Sequence, residues 1–379
     1  RDLPNFCKHH IRKEILTKMN RELTLFLALT KISVGNVERL PYPPTEQEWK
    51  FLFSMANKHT IAGPLFAALD KLPAEQRPPR KVFVDWLATT EKIRHDSREA
   101  THNAVWASKK FLQAGFRNVI LKGQGNALHY PDPLLRHSGD VDVWLEGSRE
   151  KIIRYVRRFF PHIRIQWVEM DFPIKKGCSI EVHTIPSFMS NPFDNRRLKH
   201  YFMEHAEEMF SNPAVATEEG ELKVPTTRVN MLFQLTHIYR HLFNEGIGLR
   251  QVMDYYYLLQ LDEATPHIQE TALMVKKLHM ERFCQALMYV LQETFGLQKD
   301  RMICPPDTQE GEFLLSEILQ AGNFGHTDER NHIKTDQWGN FWQKTFRNWR
   351  FISHYHREVL WNPWYRLAQF AWRKYKGYN

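Results

Sequence analysis

The spacing of apolar residues predicts helices in the first third of the chain. Apolar side chains recur at helical intervals over 11–29, and the T-E-Q-E stretch at 45–48 is a capping-box sequence that predicts the start of a second helix. A long helix with a polar face is expected over 81–114. Residues 1–110 therefore indicate a helical N-terminal region.

The pattern changes near Asn118, where short apolar runs replace the helical spacing. Four runs have the composition of strands, at 119–121, 141–145, 163–170 and 178–184. A helix predicted over 149–160 separates the second run from the third. This mixture predicts a small α+β core, which we assign to 111–225.

Helical spacing returns from Thr226 onward, in TRVNMLFQLTHIYRHLF and then in LRQVMDYYYLLQL. Residues 226–379 are therefore expected to form a helical C-terminal region that ends in a basic, aromatic tail. The expected fold class is α+β, with a small mixed-sheet core flanked by N-terminal and C-terminal helical regions.

The candidate chemistry lies in VILKGQGNALHYPDPLLRHSGDVDVWL, at 119–145. A predicted strand enters a Gly-rich turn, and the next strand carries Asp140 and Asp142. Alternate side chains of a strand point to the same face, so the two carboxylates should lie side by side. Such carboxylates repel unless a cation lies between them, and oxygen-rich sites suit Mg²⁺. A solvated strand end is the other interpretation of a D-x-D pair.

The order LKGxG, Arg, GDVDVWL resembles the nucleotidyltransferase motif of the DNA polymerase beta superfamily. The sequence is most similar to a branch of uncharacterised bacterial nucleotidyltransferases, and the similarity covers roughly 45–260. That superfamily places a third carboxylate on a later strand, and Glu181 in S-I-E-V-H matches this position. The alternative for Glu181 is a single exposed glutamate on an amphipathic strand.

The Gly-rich turn departs from the superfamily's pattern. Gln124 follows Gly123 where Ser or Gly is common, and the loop over 124–139 is longer than usual. Phosphate contact through a turn hydroxyl is therefore not expected. Backbone N–H groups at Gln124 and Gly125 could still form an anion nest.

The resemblance implies two-metal transfer of a nucleoside monophosphate from an NTP to an acceptor hydroxyl, with release of pyrophosphate. Asp140 and Asp142 would hold two Mg²⁺ (or Mn²⁺) ions, and Glu181 would complete the site on the attacking side. Lys122 and Arg136 are counter-charges for the triphosphate or, alternatively, ion-pair partners of the aspartates. The rival function is a non-catalytic nucleotide- or nucleic-acid-binding module on the same fold.

Two further residue pairs have competing interpretations. His183 shares a strand face with Glu181 and is either a proton acceptor or, as we prefer, a hydrogen-bonded structural residue. Asp254 matches a position that the branch tends to hold acidic. Arg250, four residues earlier, predicts an ordinary i, i+4 ion pair with it.

The net charge adds one candidate partner. Lys and Arg number 52 and Asp and Glu 43, so the formal charge is +9, which favours an acidic partner. Residues 342–379 hold eight basic residues and one acidic residue, interleaved with aromatic residues. We prefer packing of this tail on the helical body, followed by nucleic-acid contact through base stacking, with interfacial membrane contact least favoured.

The cysteine spacing and the hydropathy argue against a disulfide-rich, a zinc-binding or a membrane-spanning protein. Cys7, Cys178, Cys284 and Cys304 are far apart, with no C-x-x-C pair, so neither a disulfide framework nor a cysteine-rich zinc site is expected. No run approaches the about 18 apolar residues of a membrane span. We therefore expect a cytoplasmic protein.

Overall fold

The computed structural model describes residues 20–163, 165–173, 179–323 and 337–378. Cys7, Cys178 and residues 11–19 of the first predicted helix lie outside the described residues.

Helices precede the sheet in the chain. They are α1 (20–33), α2 (Glu46–Lys58), α3 (Ala62–Leu69) and α4 (Arg80–Gln113). The predicted capping box starts α2, because Thr45 accepts from the Glu48 backbone N–H and the Glu48 carboxylate accepts from that of Thr45. The buried Trp86 indole of α4 donates a 2.8 Å hydrogen bond to the Ala62 carbonyl of α3.

A four-stranded mixed sheet follows, in the order β1-β2-β4-β3. The strands are β1 (Asn118–Ile120), β2 (Val141–Leu145), β3 (Glu169–Asp171) and β4 (Ile180–His183). The central strands β2 and β4 are parallel, and each outer strand is antiparallel to its neighbour. The short helix α5 (Gln124–Ala127) connects β1 to β2, and α6 (Arg149–Phe159) lies between β2 and β3.

One predicted strand is wrong in extent. The run over 163–170 does not form a single strand, since Ile165 makes only an isolated bridge with Met170 and β3 begins at Glu169. The Gln166 N–H donates to the Glu169 carbonyl, so the chain reverses direction within the predicted run. Apolar alternation cannot reveal such a reversal, because both arms of the turn bury apolar side chains.

The two faces of the sheet differ as the alternation of side chains predicts. Val143 and Val182 enter an apolar cluster with residues of α4 and α6. Asp142, Glu181 and His183 point to the opposite face. The polar face therefore carries the titratable groups.

Helices predominate in the second half of the chain. They are α7 (Pro192–Glu204), α8 (Ala206–Ser211), α9 (Thr227–Asn244), α10 (Leu249–Gln260), α11 (Ile268–Lys277), α12 (Glu281–Phe295), α13 (Thr308–Ala321), α14 (Gln337–Trp349) and α15 (Ile352–Lys376). A hairpin that the sequence analysis did not predict, β5 (Ala214–Thr217) with β6 (Gly220–Lys223), precedes α9. Every residue of α9 over 229–243 is buried. The predicted α+β class, a small mixed sheet with flanking helices, is confirmed.

One side of the tail helices packs on the body of the protein. Phe351, Tyr355 and Val359 are buried. The Glu358 carboxylate accepts a hydrogen bond from the Ser190 backbone N–H, and the Asn362 amide donates to the Ser190 hydroxyl. This side agrees with the packing that the sequence analysis preferred.

Two phenylalanines of the tail test this packing. Phe351 is fully buried against Phe243 and Phe313, whereas Phe346 is 69% exposed. We expect Phe351→Ala to lower the free energy of unfolding by about 3–5 kcal/mol, because it leaves a cavity. Phe346→Ala, the matched control, should change it little. Chemical denaturation measures both, and equal effects of the two variants would contradict the packing.

Candidate functional site

The pairing of β2 with β4 brings three titratable side chains together. Asp142 lies opposite Glu181 in the parallel register, and Trp144 lies opposite His183. The His183 Nε2 atom is 2.9 Å from Asp142 Oδ1 and 3.9 Å from Glu181 Oε2. One ligand atom of each of these three residues lies within 4.8 Å of the others. A single cation could contact all three.

Asp142 is the buried centre of this cluster. Its side chain has no solvent exposure, and Lys122 Nζ lies 3.1 Å from Oδ1. The other carboxylate oxygen, Oδ2, is buried and has no hydrogen-bond partner among the described residues. Because buried polar atoms are nearly always satisfied, this oxygen is suited to a cation. The donor set therefore fits a divalent metal ion.

Electrostatics give the two carboxyl groups opposite pKa shifts. Burial raises the pKa of Asp142, but Lys122 and the hydrogen bond with His183 outweigh burial and hold this pKa well below its usual range. Burial raises the pKa of Glu181 to about 9, and the charges of Asp142 and Glu169 add to the effect. Without a cation, Asp142 is ionised at neutral pH and Glu181 is protonated.

Lys122 remains a cation in this setting. Burial alone would lower its pKa, but Asp142 and Glu181 together raise the pKa above its ordinary value. The ion-pair alternative that the sequence left open is thus what the structure shows for Lys122. Its ammonium also borders the cavity beside the cluster, so it is available to a bound anion.

Asp140 lies outside the three-residue cluster. It is exposed, directly precedes β2 and lines the cavity next to Asp142. Asp140 has a smaller effect on the raised pKa of Glu181 than Asp142 and Glu169 have. The structure thus brings Asp142 and Glu181 together and leaves Asp140 at the edge of the cavity. A metal-binding role for all three carboxylates stays a prediction.

The Gly-rich turn lies beside these carboxylates. Gly123 has a φ of +63°, a left-handed conformation that favours glycine. A Cβ atom at Gly125 would lie 3.1 Å from the Ile120 carbonyl oxygen, so the turn also needs a small residue there. Gln124 begins α5 and is buried. The predicted anion nest at this turn lies next to the cavity, and its role stays a prediction.

Arg136 belongs to a buried network. Its Nε and Nη2 atoms each donate to the Asp254 carboxylate at 2.7 Å. The Tyr130 hydroxyl and the Asn126 amide donate to the same carboxylate. The sequence suggested that the Arg136 guanidinium binds phosphate. In the structure this guanidinium binds Asp254, although Arg136 also lines the cavity.

The expected ion pair of Asp254 with Arg250 needs correction. The main partner of Asp254 is Arg136, through two parallel hydrogen bonds. Arg250 instead directs Nη1 to the carbonyl oxygens of His137 and Ser138. The i, i+4 spacing places both residues on one face of α10. The loop before β2 supplies an arginine in bidentate geometry, which is the stronger arrangement.

Sequence reasoning missed a second buried ion pair. The Arg240 Nη1 atom of α9 lies 3.2 Å from Glu169 Oε2, and Glu169 lies opposite His183 in the sheet. Arg240 lies on a helix that mixes apolar and polar residues and is buried over 229–243, and a buried charge requires a partner. That requirement was a usable signal, but it does not identify which acidic residue is the partner.

A cavity separates the polar face of the sheet from α9 and α10. It is lined by Asp140 and Asp142, by Lys122 and Gly123 of the turn, and by residues of both helices. Three cationic side chains, Lys122, Arg136 and Arg250, contribute to its wall. The cavity therefore combines carboxylates for a cation with positive charges for an anion.

Residues 45–296 match a protein family described as uncharacterised nucleotidyltransferase. The chain belongs to this nucleotidyltransferase family. The matched residues include the turn, the cavity and all three predicted carboxylates, whereas α13, α14 and α15 follow them. The family resemblance that the D-x-D pattern suggested is confirmed.

One solved structure with partial similarity to this chain is the crystal structure of an antigenic nucleotidyltransferase-like protein from Paracoccidioides brasiliensis. The sequence identity is 11%, the alignment covers 50% of this chain and 89% of that chain, and the TM-score is 0.29. No curated protein matches the chain.

The raised pKa of Glu181 predicts a pH-dependent stability when metal ions are removed. Its ordinary pKa of 4.5 rises to about 9 in the folded state. This group's stabilisation is therefore complete below pH 4.5 and is lost as the pH rises through 9. In the presence of a chelator, the free energy of unfolding of the unchanged protein should fall relative to that of Glu181→Gln as the pH rises from 5 to 8. The expected slope of this difference is up to about 1.4 kcal/mol per pH unit.

Denaturant titrations across this pH range measure the difference. The control is Glu221→Gln, which alters an exposed glutamate of β6. A stability difference between Glu181→Gln and the unchanged protein that stays constant with pH would show that Glu181 is ionised in the metal-free fold.

Proposed function

We propose that the protein is a Mg²⁺-dependent (or Mn²⁺-dependent) enzyme that transfers a nucleoside monophosphate from an NTP to an acceptor hydroxyl. The main support is the buried Oδ2 atom of Asp142, which has no hydrogen-bond partner among the described residues. Asp142 lines a cavity with cationic walls, and the chain belongs to a nucleotidyltransferase family. An unsatisfied buried carboxylate oxygen is costly unless a cation meets it.

Asp142 would hold the metal ion that carries the triphosphate, with Asp140 contributing from the edge of the cavity, and Glu181 would complete the site on the side of the attacking hydroxyl. Carboxylate oxygens are the ligands that Mg²⁺ prefers. His183 would orient Asp142 through their 2.9 Å hydrogen bond, so it acts on a ligand and agrees with the structural role preferred for it. When bound, the metal ion would neutralise charge on the triphosphate and acidify the acceptor hydroxyl.

The triphosphate would lie between the turn and α10. Lys122 lies at one side of the cavity, and Arg136 and Arg250 contribute positive charge at its wall. At the turn, the backbone of Gly123 and Gln124 would contact phosphate oxygens, whereas the Gly125 N–H already donates to the Lys122 carbonyl oxygen at 3.3 Å. Because Arg136 is held by Asp254, its charge would act from a fixed position.

The transfer itself would be an in-line displacement at the α-phosphorus. The acceptor oxygen forms a bond to this phosphorus while the bond to the bridging oxygen breaks, and pyrophosphate leaves with the electron pair. Glu181, on β4, would accept the hydroxyl proton. A nearby positive charge would lower its pKa from about 9, so that it is ionised when the substrate is bound.

The rival function, a non-catalytic binding module, explains less of the site. Such a module would have no use for Asp142 and Glu181 at one point of a buried sheet face, where each charge disfavours the other. A catalytic role gives a reason for an arrangement that otherwise lowers stability.

The first test is binding of metal and nucleotide together. Mg²⁺ or Mn²⁺ with the preferred NTP should raise the melting temperature more than either alone. By mass action, a ligand at 100 times its Kd raises the free energy of unfolding by about 2.7 kcal/mol. Calorimetry measures the affinity for each NTP, and thermal scans measure the melting temperature, both with and without the metal. No stabilisation by any NTP at millimolar metal would remove the proposal.

The second test separates binding from chemistry. Asp140→Asn and Asp142→Asn should both weaken the metal-dependent affinity for NTP and the turnover. Asp140 is exposed, so its variant is the less disruptive one. Glu181→Gln should change affinity by less than about threefold while transfer falls by orders of magnitude.

Calorimetric affinity and pyrophosphate release, with water or an added alcohol as acceptor, measure the two effects. Glu221→Gln is the matched control for Glu181→Gln. If Glu181→Gln transfers nucleotide at the unchanged rate, its assignment is wrong, and Glu169 and Asp171 of β3 become the candidates.

A further inference from the structure

The tail helices α14 and α15 expose large apolar side chains on their outer side. On α14, Trp342, Phe346 and Trp349 follow helical i, i+4, i+7 spacing and are 52%, 69% and 60% exposed. The outer side of α15 adds Leu360, Trp361 and Trp364. We call these six residues the apolar face. In the described part of the chain, every exposed tryptophan belongs to it.

The fold does not account for the apolar face. The two helices contact each other through a hydrogen bond between Asn348 and Asn362, and the Arg366 guanidinium lies 5.1 Å from the centre of the Phe341 ring. Their inner side already packs on the body through Phe351 and Tyr355. The outer side chains are thus exposed to solvent, and exposed groups of large apolar side chains mark interaction sites.

A basic rim continues from this surface at the end of α15. The helix ends with exposed Lys374 and Lys376 and contacts α6, because Arg149 lies 4.2 Å from the Trp372 ring centre. Arg154, Arg157 and Arg158 of α6 are also exposed. We call these three arginines and the two lysines the basic rim.

We propose that the apolar face and the basic rim together dock the protein on the surface of an anionic lipid bilayer. Tryptophan prefers the boundary between headgroups and acyl chains, since one part of its ring system is apolar and its N–H is polar. Helices with Trp, Phe and Leu on one side and basic residues beside them lie in this boundary. The basic rim would contact the anionic headgroups.

The contact is peripheral. None of the described helices combines the length and the apolar character that a bilayer crossing needs. The tail also follows the residues that match the family, 45–296, so the proposal does not depend on the proposed nucleotidyl transfer.

Single-stranded nucleic acid fits the same surface less well. Such ligands need basic side chains along the stacking residues, in a groove that follows the phosphates. Two arginines of α15 already have partners within the fold, since Arg357 is paired with Asp194 and Arg366 donates to the Phe341 carbonyl. Leu360 is aliphatic and offers no stacking surface. For this exposed side we therefore favour membrane contact over nucleic-acid contact, which is the opposite of the order preferred from sequence for these two partners.

A second copy of this chain is also a poorer occupant. Pairing two such surfaces would bring the basic rims of both copies close together, and like charges repel. An anionic bilayer instead neutralises the rim while it takes up the apolar face.

The test uses the full chain and sedimentation with vesicles of phosphatidylcholine, alone or with about a third phosphatidylserine. The protein should bind the anionic vesicles. The triple variant W342A/F346A/W349A should lose at least about tenfold in affinity, because it removes the inserted side chains. Its melting temperature should stay unchanged, since all three residues are exposed.

Two further variants make the result specific. Phe193→Ala with Leu273→Ala removes side chains that are equally exposed (65% and 62%) but lie outside the tail, and it should bind as the unchanged protein does. Lys374→Ala with Lys376→Ala should weaken binding to anionic vesicles by about fivefold per lysine and alter binding to neutral vesicles little.

Three outcomes would overturn the proposal. One is no sedimentation with anionic vesicles, and another is equal binding by the triple variant and the unchanged protein. The third is a dimer, or a complex with oligouridylate, that the triple variant loses while vesicle binding stays intact.

Discussion

The buried charge of Asp142 determines how the site is arranged. A fully buried carboxylate needs partners, and the structure supplies Lys122 from the end of β1 and His183 from β4. Both partners reach Oδ1, which leaves Oδ2 without a hydrogen bond. The parallel pairing of β2 and β4 is what places Glu181 beside it. The turn and the sheet register therefore both supply partners to one buried charge, and the candidate metal site forms around it.

Two further buried ion pairs fix the helices against this sheet. Arg240 joins α9 to Glu169 of β3, and Arg136 joins the loop before β2 to Asp254 of α10. Removing one partner of such a pair typically costs about 3–5 kcal/mol, because the remaining charge is buried alone. The cavity between sheet and helices is thus held open by polar contacts and not by apolar packing alone. The ion pair with Asp254 holds Arg136, one of the cationic residues of the cavity wall, in a fixed position.

Local patterns predicted the parts of the structure that depend on neighbouring residues. Alternation placed Asp142 on the polar face of β2, and the capping box at Thr45 located the start of α2. The partner of Arg136 could not be predicted in this way, because Asp254 lies 118 positions further along the chain. The position of Asp140 at the edge of the cavity, outside the three-residue cluster, also depends on loop geometry that no sequence period describes. For the tail, periodicity identified helices without showing which side faces the body.

The protonation of Glu181 links the empty site to its proposed use. Next to ionised Asp142 and Glu169, the Glu181 carboxyl holds its proton up to about pH 9, so the cluster avoids a third adjacent negative charge. A cation that binds Asp142 would displace the proton of Glu181, since the cation and the proton compete to neutralise the same group of carboxylates. Cation affinity should therefore increase with pH below 9. The protonated Glu181 keeps the metal-free fold stable, whereas its ionised form is the one that can accept a proton from an acceptor hydroxyl.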